Sequence, residues 1–197
     1  MSKRLGCSKA FLSFHGEPLL SHIISQVSLF SDEIVIAIGI RDSILDYQQF
    51  LSGPVRIVKD DLLQQSPLVG IFTGLRSTKS ANAMVLPCDL PFISESIVSF
   101  LFDKIIGRDA AIPRWSNGDI EPLHSTYNVA KARLAAEEAL SAGQLRVSNM
   151  IDRLNDVVYV NVEELRRFDR MLLTFFNINT QDDLKKAEQL LLRSRSP

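Results

Sequence analysis

Three short runs of almost unbroken apolar residues punctuate the first half of the chain: Glu33 to Gly39, Val55 to Val58 and Ala83 to Pro87. Continuous Val, Ile and Leu stretches of this length predict strands buried on both faces, as in a parallel sheet. Between them the period changes. Pro18 to Phe30 carries Leu19, Ile23, Val27 and Phe30 at helical spacing, and further helices are predicted at Asp42 to Leu51 and Leu68 to Ser77. Alternation of this kind predicts right-handed βαβ units, hence a mostly parallel sheet with helices on both faces.

The second half is less regular. The pattern predicts a helix from Ser94 to Ile106, a strand from Asp109 to Pro113, and a turn at the Asn117-Gly118 step that leads to an antiparallel partner over Leu123 to Tyr127. Helices at Ala130 to Ser141 and Ser148 to Leu154, a strand at Val157 to Val160 and an apolar run at Leu172 to Phe176 follow. Thr180 and Asp183 form an approximate capping box for a closing helix, and 193–197 reads as a frayed tail. No repeat or linker divides the 197 residues, so a single domain over 1–197 is expected.

Composition narrows the classes of function. Lys plus Arg number 22 against 23 Asp plus Glu, which gives no electrostatic case for nucleic acid or a membrane surface. Cys7 and Cys88 stand far apart with no paired-cysteine spacing, so neither a disulfide framework nor a zinc site is expected, and both are read as small packing residues in a reducing cytoplasm. No run is long enough to span a bilayer. His15, His22 and His124 share no metal-ligand spacing.

Chemistry gathers where the strands end. Asp89 follows the run Met84-Val-Leu-Pro-Cys88, the place where open α/β sheets bind ligands, and it is a candidate metal ligand; it is equally a candidate cap or turn residue. Asp60 leaves the Val55 to Val58 strand at the same edge. Ser66-Pro67 suits a helix start, with free N–H groups beyond it. Ser2-Lys-Arg-Leu-Gly-Cys-Ser-Lys9 holds three cations and a glycine that suit a polyphosphate, or form a plain basic start.

In order, these pieces resemble the molybdenum-cofactor guanylyltransferase (MobA-type) family of nucleotidyltransferases. The carriers are Ser2 to Lys9, Gly16-Glu-Pro-Leu-Leu20, Pro67-Leu-Val-Gly70 with Gly74-Leu75, Cys88-Asp-Leu-Pro-Phe92, Glu121-Pro-Leu123 and Phe176-Asn-Ile-Asn-Thr180. The resemblance implies a doubly wound, Rossmann-like sheet of the nucleotide-diphospho-sugar transferase type in three α/β/α layers. It implies transfer of GMP from GTP to molybdopterin with release of pyrophosphate, in the cytoplasm, with other cofactor-biosynthesis and acceptor proteins as further partners. Catalytic roles fall on Lys9, Arg4 and Asp89, nucleotide binding on Lys9, Asp60 and Asp89, and Mg²⁺ on Asp89. Asn177 and Asn179 match paired asparagines near the site and are candidates for the pterin side, as are Glu121 and Arg146. An asparagine that some members carry at the end of the second strand is Ala37 here. The family also has a first strand and Leu-Ala-Gly-Gly ahead of the position of Ser2, so the coding sequence upstream of Met1 is expected to supply them. The alternatives are a cytidylyltransferase or another nucleotidyltransferase of this fold, and a non-catalytic nucleotide-binding protein.

Overall fold

The computed structural model describes residues 9–51, 53 and 55–194. Arg4 and Cys7, with the basic segment that holds them, lie outside the described residues. A 3-10 turn, Lys9–Phe11, opens the description and leads into a two-residue hairpin, β1 (Ser13–Phe14) and β2 (Glu17–Pro18). This hairpin is absent from the sequence pattern. It turns on His15 and Gly16, both at positive φ (51° and 85°), where glycine supplies a conformation that side chains with a Cβ disfavour.

Helix α1 (Leu19–Val27), strand β3 (Ile34–Ile38), helix α2 (Ile44–Gln48), strand β4 (Val55–Lys59), helix α3 (Pro67–Ser77) and strand β5 (Asn82–Val85) then follow as alternation requires. Ser66 caps α3 through the N–H of Val69 (3.3 Å), with Pro67 in its first turn. Helix α2 is shorter than expected, because Asp42 instead accepts the Gly39 N–H at 3.0 Å and shapes the turn before it.

Helix α4 (Glu95–Lys104), strands β6 (Ala110–Arg114) and β7 (Ser125–Asn128), helices α5 (Val129–Ser141) and α6 (Val147–Ile151), strand β8 (Val157–Asn161), helix α7 (Val162–Leu165) and helix α8 (Gln181–Ser194) complete the chain. Helix α8 takes in the first two residues of the expected tail. The apolar run at Leu172 closes as a 3-10 turn, Leu173–Phe175.

Strand β7 runs antiparallel to β6, as the Asn-Gly turn implied, and it also pairs antiparallel with β5, so the order is β5-β7-β6-β8 with β6 and β8 parallel. Strands β3 and β4 pair in parallel as a separate ribbon. Among the described residues no ladder joins β3 to β5, so the continuous sheet expected from the pattern is divided between them.

Alternation along β6 shows the layering. Ala110 and Ile112 pack with α3, α5 and α6, while Ala111 packs on the other face with Ile97 and Leu101 of α4. Over the ribbon, Leu20 and Ile24 of α1 share a cluster with Ile38 and Tyr47. A further cluster joins Leu12, Phe14, Leu19 and Ile23 to Ile178 and Ala187, fastening the C-terminal segment to the hairpin. Among the described residues no helix is long and apolar enough to cross a membrane.

Candidate active site

Burial of that last cluster has a polar consequence at its rim. With Ala10 and Leu12 buried on one side and Ile178 on the other, Lys9 and Asn179 are brought face to face. Lys9 Nζ donates to Asp89 Oδ2 at 2.6 Å and to Asn179 Oδ1 at 2.7 Å. The backbone repeats the link, since the N–H of Ile178 donates to the carbonyl of Asp89 at 2.9 Å. Both partners of the ion pair are partly shielded, with side chains 20% and 16% exposed, so water screens the pair less than it would a surface pair.

Of the readings of Asp89, the structure removes the helix cap, while Asp89 itself lies in a turn. Ser94 caps α4, accepting the N–H of Ile97 at 3.4 Å, whereas the Asp89 carboxylate meets a cation. Its other oxygen, Oδ1, is buried and has no hydrogen-bond partner among the described residues. Oδ1 is therefore the Asp89 oxygen that could take a divalent cation, whose remaining ligands would have to come from outside the described residues, such as substrate phosphates and water.

Asp60 sits at the end of β4, its N–H donating to the Ile38 carbonyl at 2.9 Å. Burial raises its carboxyl pKa, an effect opposed by the Thr73 hydroxyl and reinforced by the nearby Asp61 and Asp42. Asp60 Oδ1 and Thr73 Oγ1 are both buried polar atoms without a placed partner among the described residues. No hydrogen bond or ion pair joins Asp60 to Lys9 or Asp89 there. Gathered in this structure, then, are Lys9, Asp89 and Asn179, with Asp60 on a separate strand end.

A cavity of about 250 Å³ opens beside Asp89, lined by Glu121, His124, Phe175 and Asn177 among others. Glu121 is held by the indole N–H of Trp115 at 2.7 Å, and the Asn177 amide donates to the Phe175 carbonyl at 3.2 Å. Arg146 does not line this cavity; it precedes α6, where its own N–H donates to Asn149 Oδ1 at 3.2 Å. Sequence reasoning did not single out Thr73, and it noted His124 only as lacking a metal-ligand spacing. No spacing marks His124, yet it is wholly buried against Phe175. Cys88, expected as a packing residue, is instead an exposed free thiol, because the chain has already left β5.

The same α/β frame recurs in solved structures. That of 2-C-methyl-D-erythritol 4-phosphate cytidylyltransferase from Thermus thermophilus superposes with a TM-score of 0.69 at 17% identity, covering 93% of this chain and 94% of that one. Molybdopterin-guanine dinucleotide biosynthesis protein A from Archaeoglobus fulgidus superposes with a TM-score of 0.81 at 29% identity, covering 98% and 95%. Fold and strand-end site together define an α/β nucleotidyltransferase.

The sequence carries the assignment further. A probable molybdenum cofactor guanylyltransferase from Methanosarcina mazei is 36% identical, over 93% of this chain and 84% of its own length. Residues 1–157 match the model of the MobA-like NTP transferase domain, and the chain belongs to that family.

Proposed function

We propose that this enzyme transfers GMP from GTP to the terminal phosphate of a molybdopterin cofactor, releasing pyrophosphate. The observation that carries the reading is the Lys9–Asp89–Asn179 cluster at the strand ends, in a chain 36% identical to a probable guanylyltransferase. The attacking group is already an anionic phosphate, so the reaction asks for alignment and charge neutralisation more than for a base. Lys9 supplies positive charge to the phosphates, and the resemblance adds Arg4. Asn179 and Asp89 hold Lys9 at one place, which limits its rotamers before substrate arrives. Asp60 contributes a carboxylate for the nucleoside.

Mg²⁺ is the proposed cofactor, held by Asp89 through its unpartnered Oδ1, where it would neutralise charge on the α-phosphate and pyrophosphate. The cavity beside Asp89 is the proposed acceptor side, with Asn177 and Glu121 on its wall. A cytoplasmic location, and exchange of substrate and product with other cofactor-biosynthesis and acceptor proteins, complete the proposal.

The test incubates the full chain with Mg²⁺, molybdopterin and either GTP or CTP, following pyrophosphate and the dinucleotide product. Product from GTP in clear preference to CTP is the expected result. Preference for CTP would reassign the chain to cytidylyl transfer. Nucleotide binding by calorimetry with no product from either would make it a binding protein.

A further inference from the structure

Asp89 sits in a stretch without regular structure between β5 and α4. From Cys88 to Ile93 the only backbone–backbone hydrogen bond among the described residues is the one its carbonyl accepts from the Ile178 N–H. Side chains of α1 supply further bonds. His22 Nε2 lies 3.1 Å from the carbonyl oxygen of Pro91, and Gln26 Nε2 donates to the same oxygen at 3.0 Å. Gln26 Oε1 in turn accepts the N–H of Ile93 at 3.2 Å. Residues four apart share one helix face, so both side chains reach a single point on the loop and use both lone pairs of one carbonyl.

His22 occupies a core position, 6% exposed on a helix whose other buried residues are Leu19, Leu20, Ile23 and Ile24. A ring with unmet nitrogens would destabilise the fold there. Neither nitrogen is unmet. A carbonyl can only accept, so Nε2 carries a proton for Pro91, while Nδ1 faces Glu17 Oε1 of the hairpin at 3.3 Å, and the ring packs T-shaped on Phe14 with centroids 4.8 Å apart. The ring therefore bridges the hairpin to the Asp89 loop. The turn that carries Lys9 is tied to the same side: the Leu12 N–H donates to the Lys9 carbonyl at 3.2 Å, and the Leu19 N–H, at the start of α1, to the Leu12 carbonyl at 2.8 Å.

Lys9 and Asp89 are thus joined twice, once by their own ion pair and once through α1. The ion pair alone cannot hold the site through a reaction, because a lysine that turns to a phosphate gives up its carboxylate and leaves it to a loop with few bonds. We propose that His22 and Gln26 are positioning residues that clamp the Asp89 loop to α1 and keep its carboxylate opposite Lys9 while the lysine serves a phosphate, a role that rests on the part of Asp89 in the proposed reaction. Among the described residues neither side chain bonds to Lys9 or to the Asp89 carboxylate. Each acts through the backbone of Pro91 and Ile93.

The test reads amide hydrogen exchange in the full chain without added metal, at Ile93 and at Ile178, whose N–H is held by Asp89, with Ala111 and Ile112 of β6 as reference. His22→Leu keeps the bulk of the side chain and removes both nitrogens. It should speed exchange at Ile178 and Ile93 at least about tenfold and leave β6 unchanged, and Gln26→Ala, at a half-buried position, should do the same. His22→Gln, which keeps a donor for Pro91, should recover most of the protection. In the GTP assay kcat should follow, falling about tenfold in His22→Leu with KM for GTP near the parent's, and recovering in His22→Gln. Parental exchange at Ile178 in both His22→Leu and Gln26→Ala would overturn the clamp, as would equal acceleration in β6, which marks a general loss of stability. Faster exchange with parental kcat would overturn the positioning role. Absence of product from the parent would overturn the nucleotide reading instead, and exchange, read without substrate, would still decide the clamp.

Discussion

Lys9 and Asn179 lie 170 positions apart in the chain, and the lysine Nζ donates to the asparagine Oδ1 at 2.7 Å. Asn179 owes its position to Ile178, buried against the β1–β2 hairpin and helix α1, and to the turn in which Asp183 Oδ2 accepts the N–H groups of Asn179 (3.0 Å) and Thr180 (2.8 Å). The side chain itself is exposed and caps nothing, so its removal should spare the fold. Asn179→Ala should lower kcat by about tenfold or more through a misplaced Lys9, with far-ultraviolet circular dichroism unchanged. A steady-state comparison of kcat and KM checks it, because a purely structural role would lower the unfolding temperature instead.

Asp89 makes the other half of the Lys9 contact, and one of its oxygens is unpartnered. Asp89→Ala removes the proposed cation seat and should reduce turnover at least about a thousandfold. The ion pair it breaks is partly exposed and worth about 1 kcal/mol, so the thermal midpoint should move by only about 2–4 °C. Turnover measured beside differential scanning calorimetry separates the two effects. Activity surviving in the variant would remove Asp89 from the mechanism.

Much of this arrangement was legible in the sequence, and the limits have physical causes. Ile34–Ile38 read as a strand because residues facing helices on both sides must be apolar, and Val55–Lys59 because Val55, Ile57 and Val58 are, although Arg56 and Lys59 are exposed; Ser66-Pro67 and Thr180 with Asp183 read as helix starts because unpaired N–H groups demand local acceptors. The hairpin at Ser13–Pro18 did not read, since two-residue strands show no alternation and the turn depends on the backbone of His15 and Gly16. Strand β7 was recognisable as a partner of β6, but its second ladder to β5 lies outside what a local pattern carries. Asp89 was picked out from its strand end, and Lys9 from the resemblance of the segment Ser2 to Lys9 to the family's loop. Their meeting with Asn179 is a tertiary fact, made by burying Ile178.

Glu33 joins the entry of β3 to the turn before β5. Its carboxylate accepts from Thr78, Lys79 and Ser80 and pairs with Arg56, and the Thr78 hydroxyl is the main reason its pKa is lowered. Glu33→Ala would release all of these and should cost about 1–2 kcal/mol, since each bond is partly exposed and individually modest. Urea unfolding should show an earlier midpoint with unchanged slope. Glu33→Gln keeps an acceptor and should recover part of the loss.

His124 provides the pH-dependent element. Burial drives its pKa down from 6.5 to about 3, so the ring is neutral in the fold and chargeable once unfolded. The Thr174 hydroxyl lies 3.2 Å from Nε2 and already takes the N–H of Ser94 at 3.4 Å. Its own proton is thus free for Nε2, which puts the ring proton on Nδ1, a buried atom with no partner among the described residues. Between the two pKa values the unfolded chain binds a proton that the native one refuses, so His124 costs nothing above about pH 6.5 and destabilises progressively below it. The slope should approach about 1.4 kcal/mol per pH unit as pH falls toward 3. Denaturant midpoints collected from pH 7 to pH 4 should therefore decline in the parent, and the decline should be shallower in His124→Gln. An acid limb of equal slope in the variant would mean that other groups, and not this histidine, set the acid stability of the fold.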